Sequence, residues 1–186
     1  MKRIFLFVAW IIIVNTAVSG QDKYFTKTGR VSFAGKSPLS SVNAENKAVS
    51  VVLDTKTGVL QFSLLTKGFE FKRELMQKHF NEKYIESDKF PKSEFKGEII
   101  NNPLVKFSTD GVYPVTATGK LTIHGVEKER TEKGTITIKN GQITLDCIMN
   151  IAIKDFNIEI PKLVIKNIAE VVAVKIKVDY TPYVKK

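Results

Sequence analysis

The chain has 186 residues, a formal net charge of +10 and a single cysteine, Cys147. This length suits one domain with a sizeable core, and one cysteine excludes an internal disulfide. A basic balance can indicate nucleic-acid binding, but the lysines here are spread through alternating segments without forming a cluster. We therefore exclude nucleic acid as a partner and interpret the lysines as a solvated face with some attraction to anionic membrane surfaces.

Residues 1–20 have the layout of a secretory signal peptide. Lys2 and Arg3 precede an apolar run over residues 4–14, and the small residues Ala17, Ser19 and Gly20 follow it. A membrane anchor is the alternative, but the run is shorter than the roughly 20 apolar residues that span a bilayer. We expect cleavage to leave Gly20 or Gln21 first, a mature domain over residues 21–186, and a periplasmic or secreted location.

After Tyr24 the sequence alternates with a period of two, which is typical of strands with one buried face. Turn signals separate the runs, and Asn140-Gly141 is the pair that favours a type I′ hairpin. The predicted strands cover residues 25–33, 48–54, 59–65, 93–100, 105–108, 113–126, a run through Ile136 and Ile138, 143–153 and 171–180. About eight short strands at regular spacing predict an all-β fold, a barrel or a sandwich.

Two segments break this alternation. Residues 72–84 place Met76 and Phe80 on one stripe of a short helix, which we expect to lie over an opening of the barrel. Residues 155–168 include Phe156 and are too apolar for a solvated loop. We expect this second segment to pack on or into the barrel.

The side chains needed for catalysis are scarce. The two histidines, His79 and His124, have no carboxylate or cysteine at metal-ligand spacing, and neither a nucleophile elbow nor a phosphate-binding loop is present. His124 falls in outward phase before Gly125, so we interpret it as a structural hydrogen-bonding residue, with a ligand gate or a metal ligand as alternatives, and His79 similarly. Cys147 is in strand phase and is interpreted as a small buried apolar residue. The sequence predicts a binding protein, not an enzyme.

The inward positions of the predicted strands are apolar, and the small residues Ala117 and Gly119 among them would leave room inside. An eight-stranded barrel is just wide enough to be filled by side chains or to hold one small ligand. The alternative is a solidly packed structural or adhesive module without a ligand. The candidate ligand-binding residues are Phe62, Leu64, Met76, Phe80, Phe95, Ile99, Phe107, Val115, Ala117, Gly119, Leu121, Ile123, Leu145, Met149, Ile151 and Phe156.

Residues 121–128 read leucine, threonine, isoleucine, histidine, glycine, valine, glutamate and lysine. This run is similar to the most recognisable motif of the YceI-like family, a strand that ends in a histidine-glycine pair. Residues 74–81, followed by 90–95, resemble that family's helical turn, proline and strand, and residues 155–156 and 172–176 agree with its last strands. The resemblance covers residues 49–180.

The resemblance implies a lipocalin-like antiparallel β-barrel of about eight strands with a short helix near one opening. It also implies export to the periplasm in bacteria and a bound polyisoprenoid chain, such as an isoprenoid quinone. We expect no cofactor other than this polyisoprenoid or another lipid, and a role as a carrier or reservoir in the cell envelope. The oligomeric state is left open, a homodimer included.

Overall fold

The computed structural model describes residues 22–36, 41–160 and 169–182. The predicted signal peptide lies outside these described residues. So do residues 161–168 of the apolar segment over residues 155–168, which we term the late apolar segment. One short helix, α1 (Glu74–His79), leads into a π-helical turn (Phe80–Tyr84), and single 3₁₀ turns cover Thr66–Gly68, Asn102–Leu104 and Ile153–Phe156. The strands are β1 (Lys23–Lys36), β2 (Ser41–Asp54), β3 (Val59–Leu65), β4 (Glu70–Phe71), β5 (Lys92–Ile99), β6 (Gly111–Ile123), β7 (Val126–Lys139), β8 (Gln142–Ala152), β9 (Val171–Asp179) and β10 (Thr181–Pro182).

Eight strands close an antiparallel barrel in the order β1-β9-β8-β7-β6-β5-β3-β2, and β1 pairs with β2 to complete the ring. The two-residue strands β4 and β10 extend the pairing of β2 and β1. Side chains of β8 alternate between the two faces of the sheet. The inward positions Ile143, Leu145, Met149 and Ile151 are all buried. The predicted all-β barrel with one short helix is confirmed. In the described part of the chain, no helix is long and apolar enough to cross a membrane.

The predicted strand at residues 105–108 is wrong, because this stretch is part of the loop between β5 and β6. Asn102 in the preceding 3₁₀ turn donates from its side-chain amide to the carbonyl of Thr55 at 2.8 Å. That bond ties the loop to the β2–β3 turn, so the chain passes along the end of the barrel and does not join the sheet. Val105 in this loop is buried and packs into the hydrophobic core.

The predicted continuous strand at 113–126 is two strands joined by a tight turn. Ile123 pairs with Val126 across the turn, and the intervening residues His124 and Gly125 have φ angles of +51° and +73°. The predicted Asn140-Gly141 turn has φ angles of +51° and +74°. Both turns therefore have the two positive φ values of a type I′ hairpin. His124 is a turn residue, and the prediction that it faces outward from a strand is wrong.

The two ends of the barrel differ in packing. The end that carries the β2–β3 and β7–β8 turns, which we term the packed end, is filled by side chains that are almost completely buried: Leu53, Ile138, Ile143, Val178 and Tyr180. The opposite end, termed the helix end, carries α1, the β6–β7 turn and the connection from β8 to β9. A ligand that enters the barrel along its axis therefore has the helix end as its route.

Candidate ligand-binding cavity

An apolar cavity of about 290 Å³ lies inside the barrel, and all eight barrel strands contribute side chains to its wall. This volume is close to the lower end of the range of about 300–1,000 Å³ that is typical of small-molecule sites. The interior is therefore not solidly packed, and a space lined by carbon suits an apolar ligand.

Most of the residues predicted to contact a ligand line this cavity. They share the inward phase of their strands or, for two of them, the inner side of the helical segment, as period-two and helical spacing require. These residues are Phe62, Leu64, Met76, Phe80, Phe95, Ile99, Val115, Ala117, Leu121, Ile123, Leu145, Met149 and Ile151.

Phe107, Gly119 and Phe156 were also predicted to contact the ligand, but they are not among the residues that line the cavity. Phe107 packs on the core from the β5–β6 loop at the packed end, because the strand predicted for it does not form. Phe156 is buried in the core from the last 3₁₀ turn. In both cases the apolar side chain stabilises the fold without reaching the cavity.

Gly119 serves the close approach of two strands and does not leave room for a ligand. It pairs with Gly97 across β5 and β6. A Cβ atom at position 119 would lie 2.4 Å from the carbonyl oxygen of Lys96 and 2.5 Å from Cα of Gly97. These contacts are with backbone atoms, which cannot move aside without distorting the sheet, so glycine is needed here.

Four phenylalanine rings form an aromatic cluster in the cavity wall at the helix end, and three of them were not predicted. Phe33 and Phe80 each contact the other three rings of the set Phe33, Phe69, Phe71 and Phe80, with centroids 5.1 to 5.9 Å apart in tilted or edge-on pairs, and all four line the cavity. Only Phe80 was expected, from its helical phase. Phe69 and Phe71 lie outside any long alternating run, so no periodic signal marked them.

The helical segment covers the cavity at this end, as predicted. Met76 and Phe80 reach the cavity, whereas Leu75 points to solvent with 63% of its surface exposed. The two ends of the connection that carries α1 are joined by the buried Thr66, whose hydroxyl donates to the carbonyl of Phe90 at 2.9 Å. Next to it, the buried side chain of Asn46 on β2 donates to the carbonyl of Leu65, the last residue of β3, at 2.9 Å. Ile158 and Ile160 of the late apolar segment also line the cavity, so the described part of that segment packs onto the barrel opening.

His124 ties together three segments of the helix end. Its Nδ1 atom lies 3.0 Å from the carbonyl oxygen of Phe156, and its Nε2 atom lies 3.1 Å from a carboxylate oxygen of Glu86. Because a carbonyl only accepts, Nδ1 donates. The ring of Phe90 meets the imidazole edge-on at 4.3 Å, and only 10% of the His124 side chain is exposed. These contacts support the structural interpretation. Neither His124 nor His79 lines the cavity.

Two ion-paired glutamates of the described residues, Glu94 and Glu132, line the largely apolar cavity. Glu94 pairs with Lys96, whose side chain is 66% exposed, whereas both partners of the Arg130–Glu132 pair are mostly buried. Glu132 lines the cavity, and its Oε1 atom accepts hydrogen bonds from Nε of Arg130 at 2.8 Å and from Nη2. Nη2 also donates to the carbonyl of Asn150 at 3.0 Å. Nearby, burial and then the charge of Glu132 raise the pKa of the Cys147 thiol to about 11, so this thiol is protonated and unreactive at neutral pH. Sequence alternation gave no sign of this pair.

A closed eight-stranded antiparallel barrel around an apolar cavity defines a lipocalin-like class of protein. The family model of the YceI-like domain matches residues 18–180, so the chain belongs to the YceI-like family. No curated protein matches the sequence. In the residues that the structure describes, no group of three or more His, Cys, Asp or Glu side chains is placed to hold a metal ion.

Three solved structures show the same fold at low identity. A polyisoprenoid binding domain from Saccharophagus degradans, implicated in plant cell wall breakdown, is 12% identical with a TM-score of 0.75 and covers 88% of this chain and 100% of its own. BcnA from Burkholderia cenocepacia is 19% identical with a TM-score of 0.66, over 82% and 96% of the two chains. The YCEI protein of Campylobacter jejuni is 15% identical with a TM-score of 0.54 and covers both chains completely.

Proposed function

We propose that this protein is exported and binds an isoprenoid lipid, which it carries or stores in the cell envelope. The observation that carries the proposal is the apolar cavity inside the barrel, with its aromatic cluster at the helix end. Burial of each methylene contributes about 0.8 kcal/mol, so a prenyl tail can bind tightly through carbon contacts alone. The similar barrel of the Saccharophagus domain, described as polyisoprenoid binding, supports the same ligand class.

We infer binding in preference to catalysis from the chemistry of the wall. Phenylalanine and methionine side chains adapt to flexible apolar chains, and both line the cavity together with a larger number of valine, leucine and isoleucine side chains. The cavity holds neither histidine of the chain, and its thiol is held in the protonated form. The wall therefore offers contact area for a lipid, not a proton-transfer pair.

Native mass spectrometry of protein purified from its host, followed by organic extraction, tests the ligand. We expect a discrete added mass that extracts as a prenyl lipid. Protein that carries no lipid, and takes up none when incubated with a polyisoprenoid, would instead favour a structural or adhesive module.

Export is tested separately by fractionation and N-terminal sequencing in the native host. The layout of residues 1–20 leads us to expect a mature chain in the periplasmic or secreted fraction that begins at Gly20 or Gln21. An intact Met1 in cytoplasmic protein would remove the export proposal and leave the binding proposal standing.

We further propose that a basic outer face brings the barrel to anionic membranes. Lys177 lies opposite Arg30 on β1 and opposite Asp146 on β8, and Lys175 lies opposite Ile148, which is 62% exposed. Asp146 balances one of these three basic charges, so the face keeps a net positive charge that suits an anionic surface, with Ile148 as an apolar contact. The Lys175→Glu/Lys177→Glu variant should co-sediment less with phosphatidylglycerol vesicles than wild type. Lys56→Glu/Lys106→Glu, with the same charge change at the packed end, should not, and equal loss in both would indicate only a net-charge effect.

A further inference from the structure

Strands β7 and β8 separate in the half of the barrel nearest the helix end. They pair from Gly134 with Cys147 down to Lys139 with Gln142. Beyond that point, within the described residues, β7 over 126–133 pairs only with β6, and β8 over 148–152 pairs only with β9. We term the space between these two stretches the seam. Backbone groups along both sides of the seam lack the ladder bonds that close the rest of the barrel.

The Arg130–Glu132 pair occupies the seam. The two residues are two positions apart on β7, so their side chains lie on the same face of the strand. The guanidinium bridges the seam by donating to the carbonyl of Asn150 on β8 at 3.0 Å, while Glu132 borders the cavity. The side chains are only 27% and 16% exposed. A charged pair thus stands where the apolar cavity meets the side of the barrel.

Stability alone gives little reason for this pair. Desolvation of two charges offsets much of their attraction, and apolar residues of similar size often serve as well or better. Each side chain of the pair also has one polar atom that the pair does not use for a hydrogen bond. Within the described residues, Nη1 of Arg130 and Oε2 of Glu132 make no hydrogen bond. The pair therefore has an unused acceptor on Glu132, which borders the cavity, and an unused donor on Arg130.

We propose that Arg130 and Glu132 form the head-group subsite of the lipid cavity, and that they select an uncharged head group with a hydroxyl. A hydroxyl can donate to Oε2 of Glu132 and can accept from a guanidinium N–H, which a hydrocarbon cannot do. A phosphate finds the guanidinium already paired and meets the repulsion of the Glu132 carboxylate. This inference rests on the proposed function, because it assigns the orientation of the lipid, with its tail in the cavity and its head at the seam.

Competition against an apolar fluorescent dye bound in the cavity tests the subsite with three probes: geranylgeraniol, geranylgeranyl phosphate and squalene. We expect wild type to bind the alcohol about tenfold more tightly than either of the others, the usual size of one net hydrogen bond or one mismatched charge. Equal displacement by all three would overturn the head-group subsite while the lipid-binding function stands. Displacement by none would overturn the proposed function itself, and the subsite with it.

Paired variants assign the preference to these two residues. Arg130→Met/Glu132→Met replaces both charges and leaves neither one unpaired, so the barrel should still fold. We expect this variant to bind geranylgeraniol and squalene with affinities within about twofold of each other, so that the tenfold preference for the alcohol is lost. Lys120→Met/Glu127→Met removes the exposed ion pair between β6 and β7 and should retain the preference. A preference for the alcohol that persists in Arg130→Met/Glu132→Met would overturn the assignment.

Discussion

At the scale of single residues, Tyr180 has a hydroxyl that the packed end leaves without a partner. Its side chain is 1% exposed, and no atom of the described residues accepts or donates a hydrogen bond at its oxygen. Burial also raises the pKa of the phenol, so the group is neutral. Because an unpaired buried polar group is destabilising, Tyr180→Phe should raise the free energy of unfolding by about 1 kcal/mol. Urea denaturation measures this change. Tyr113→Phe, which removes a hydroxyl that donates to the carbonyl of Thr109, should not raise it.

His124 combines a turn conformation with a set of side-chain contacts, and two substitutions separate them. Asparagine tolerates the positive φ of the turn, whereas alanine does not. His124→Asn should lower the free energy of unfolding by about 1–2 kcal/mol through the lost bonds to Phe156 and Glu86, and His124→Ala by about 1 kcal/mol more through backbone strain. Thermal and urea unfolding measure both. Equal losses would show that turn strain contributes little, and no loss in either would contradict the structural role.

Glu86 makes the helix end sensitive to acid. Hydrogen bonds from Lys89 and then from His124 lower the pKa of its carboxyl below the ordinary value of 4.5. A lowered pKa in the folded state contributes stability that is present above the ordinary value and is lost as the pH falls through the folded one. Wild type should therefore lose stability below about pH 4.5 more steeply than Glu86→Gln. Melting curves between pH 6 and pH 3 test this, with Glu82→Gln on the same segment as a control that keeps the wild-type slope.

At the scale of elements, the alternation of apolar and polar residues predicted most strands. The failures include one turn and the charged first half of one strand. The Asn140-Gly141 turn was found because asparagine and glycine both favour positive φ. The equivalent turn at His124 was missed, since His-Gly is not among the residue pairs that mark a type I′ turn and the contacts of His124 with Glu86 and Phe156 are remote in sequence. The first half of β7 was missed because it faces the seam with charged residues, so it lacks the apolar alternation that marks the other strands.

The helical segment over the opening carries a prediction on ligand exchange. Phe80 contacts the aromatic cluster and lines the cavity, whereas Leu75 on the same segment points to solvent. Phe80→Ala should therefore speed lipid release several-fold, and it should lower the free energy of unfolding by less than the roughly 3–5 kcal/mol that a fully buried phenylalanine contributes. Leu75→Ala should change neither quantity. Stopped-flow transfer of a fluorescent lipid to acceptor vesicles measures the rate, and an unchanged rate in Phe80→Ala would place the exit elsewhere.

At the scale of the whole molecule, the sequence predicted the side chains of the cavity wall better than the cavity itself. The period-two alternation along a strand decides which residues face the inside of the barrel. It predicted the inward positions of Leu121, Leu145 and Met149 correctly. Phase does not tell whether inward residues meet each other or leave space, because that depends on how far the strands tilt and where they separate. Gly119 was misread for the same reason, since its contact is with the neighbouring backbone and not with the interior.

The contrast between a packed end and a hollow middle yields a paired test of the whole barrel. Ala117 lines the cavity from β6, so Ala117→Leu adds volume to empty space and should leave the melting temperature unchanged or raised while bound lipid is lost. Val178 at the packed end is completely buried and does not line the cavity. Val178→Phe should therefore overpack a dense core, lower the free energy of unfolding by about 1–3 kcal/mol and leave lipid binding intact in the molecules that fold.

Melting curves and native mass spectrometry on the same samples measure both effects. If Ala117→Leu instead destabilises the barrel as much as Val178→Phe does, the middle of the barrel is already filled by its own side chains, and the tail of a lipid must lie elsewhere. If Ala117→Leu melts like wild type and still carries its full complement of lipid, the ligand occupies a part of the cavity away from β6. Loss of lipid with retained stability is the result that a hollow, lipid-holding barrel requires, because only a ligand competes with the added side chain for that space.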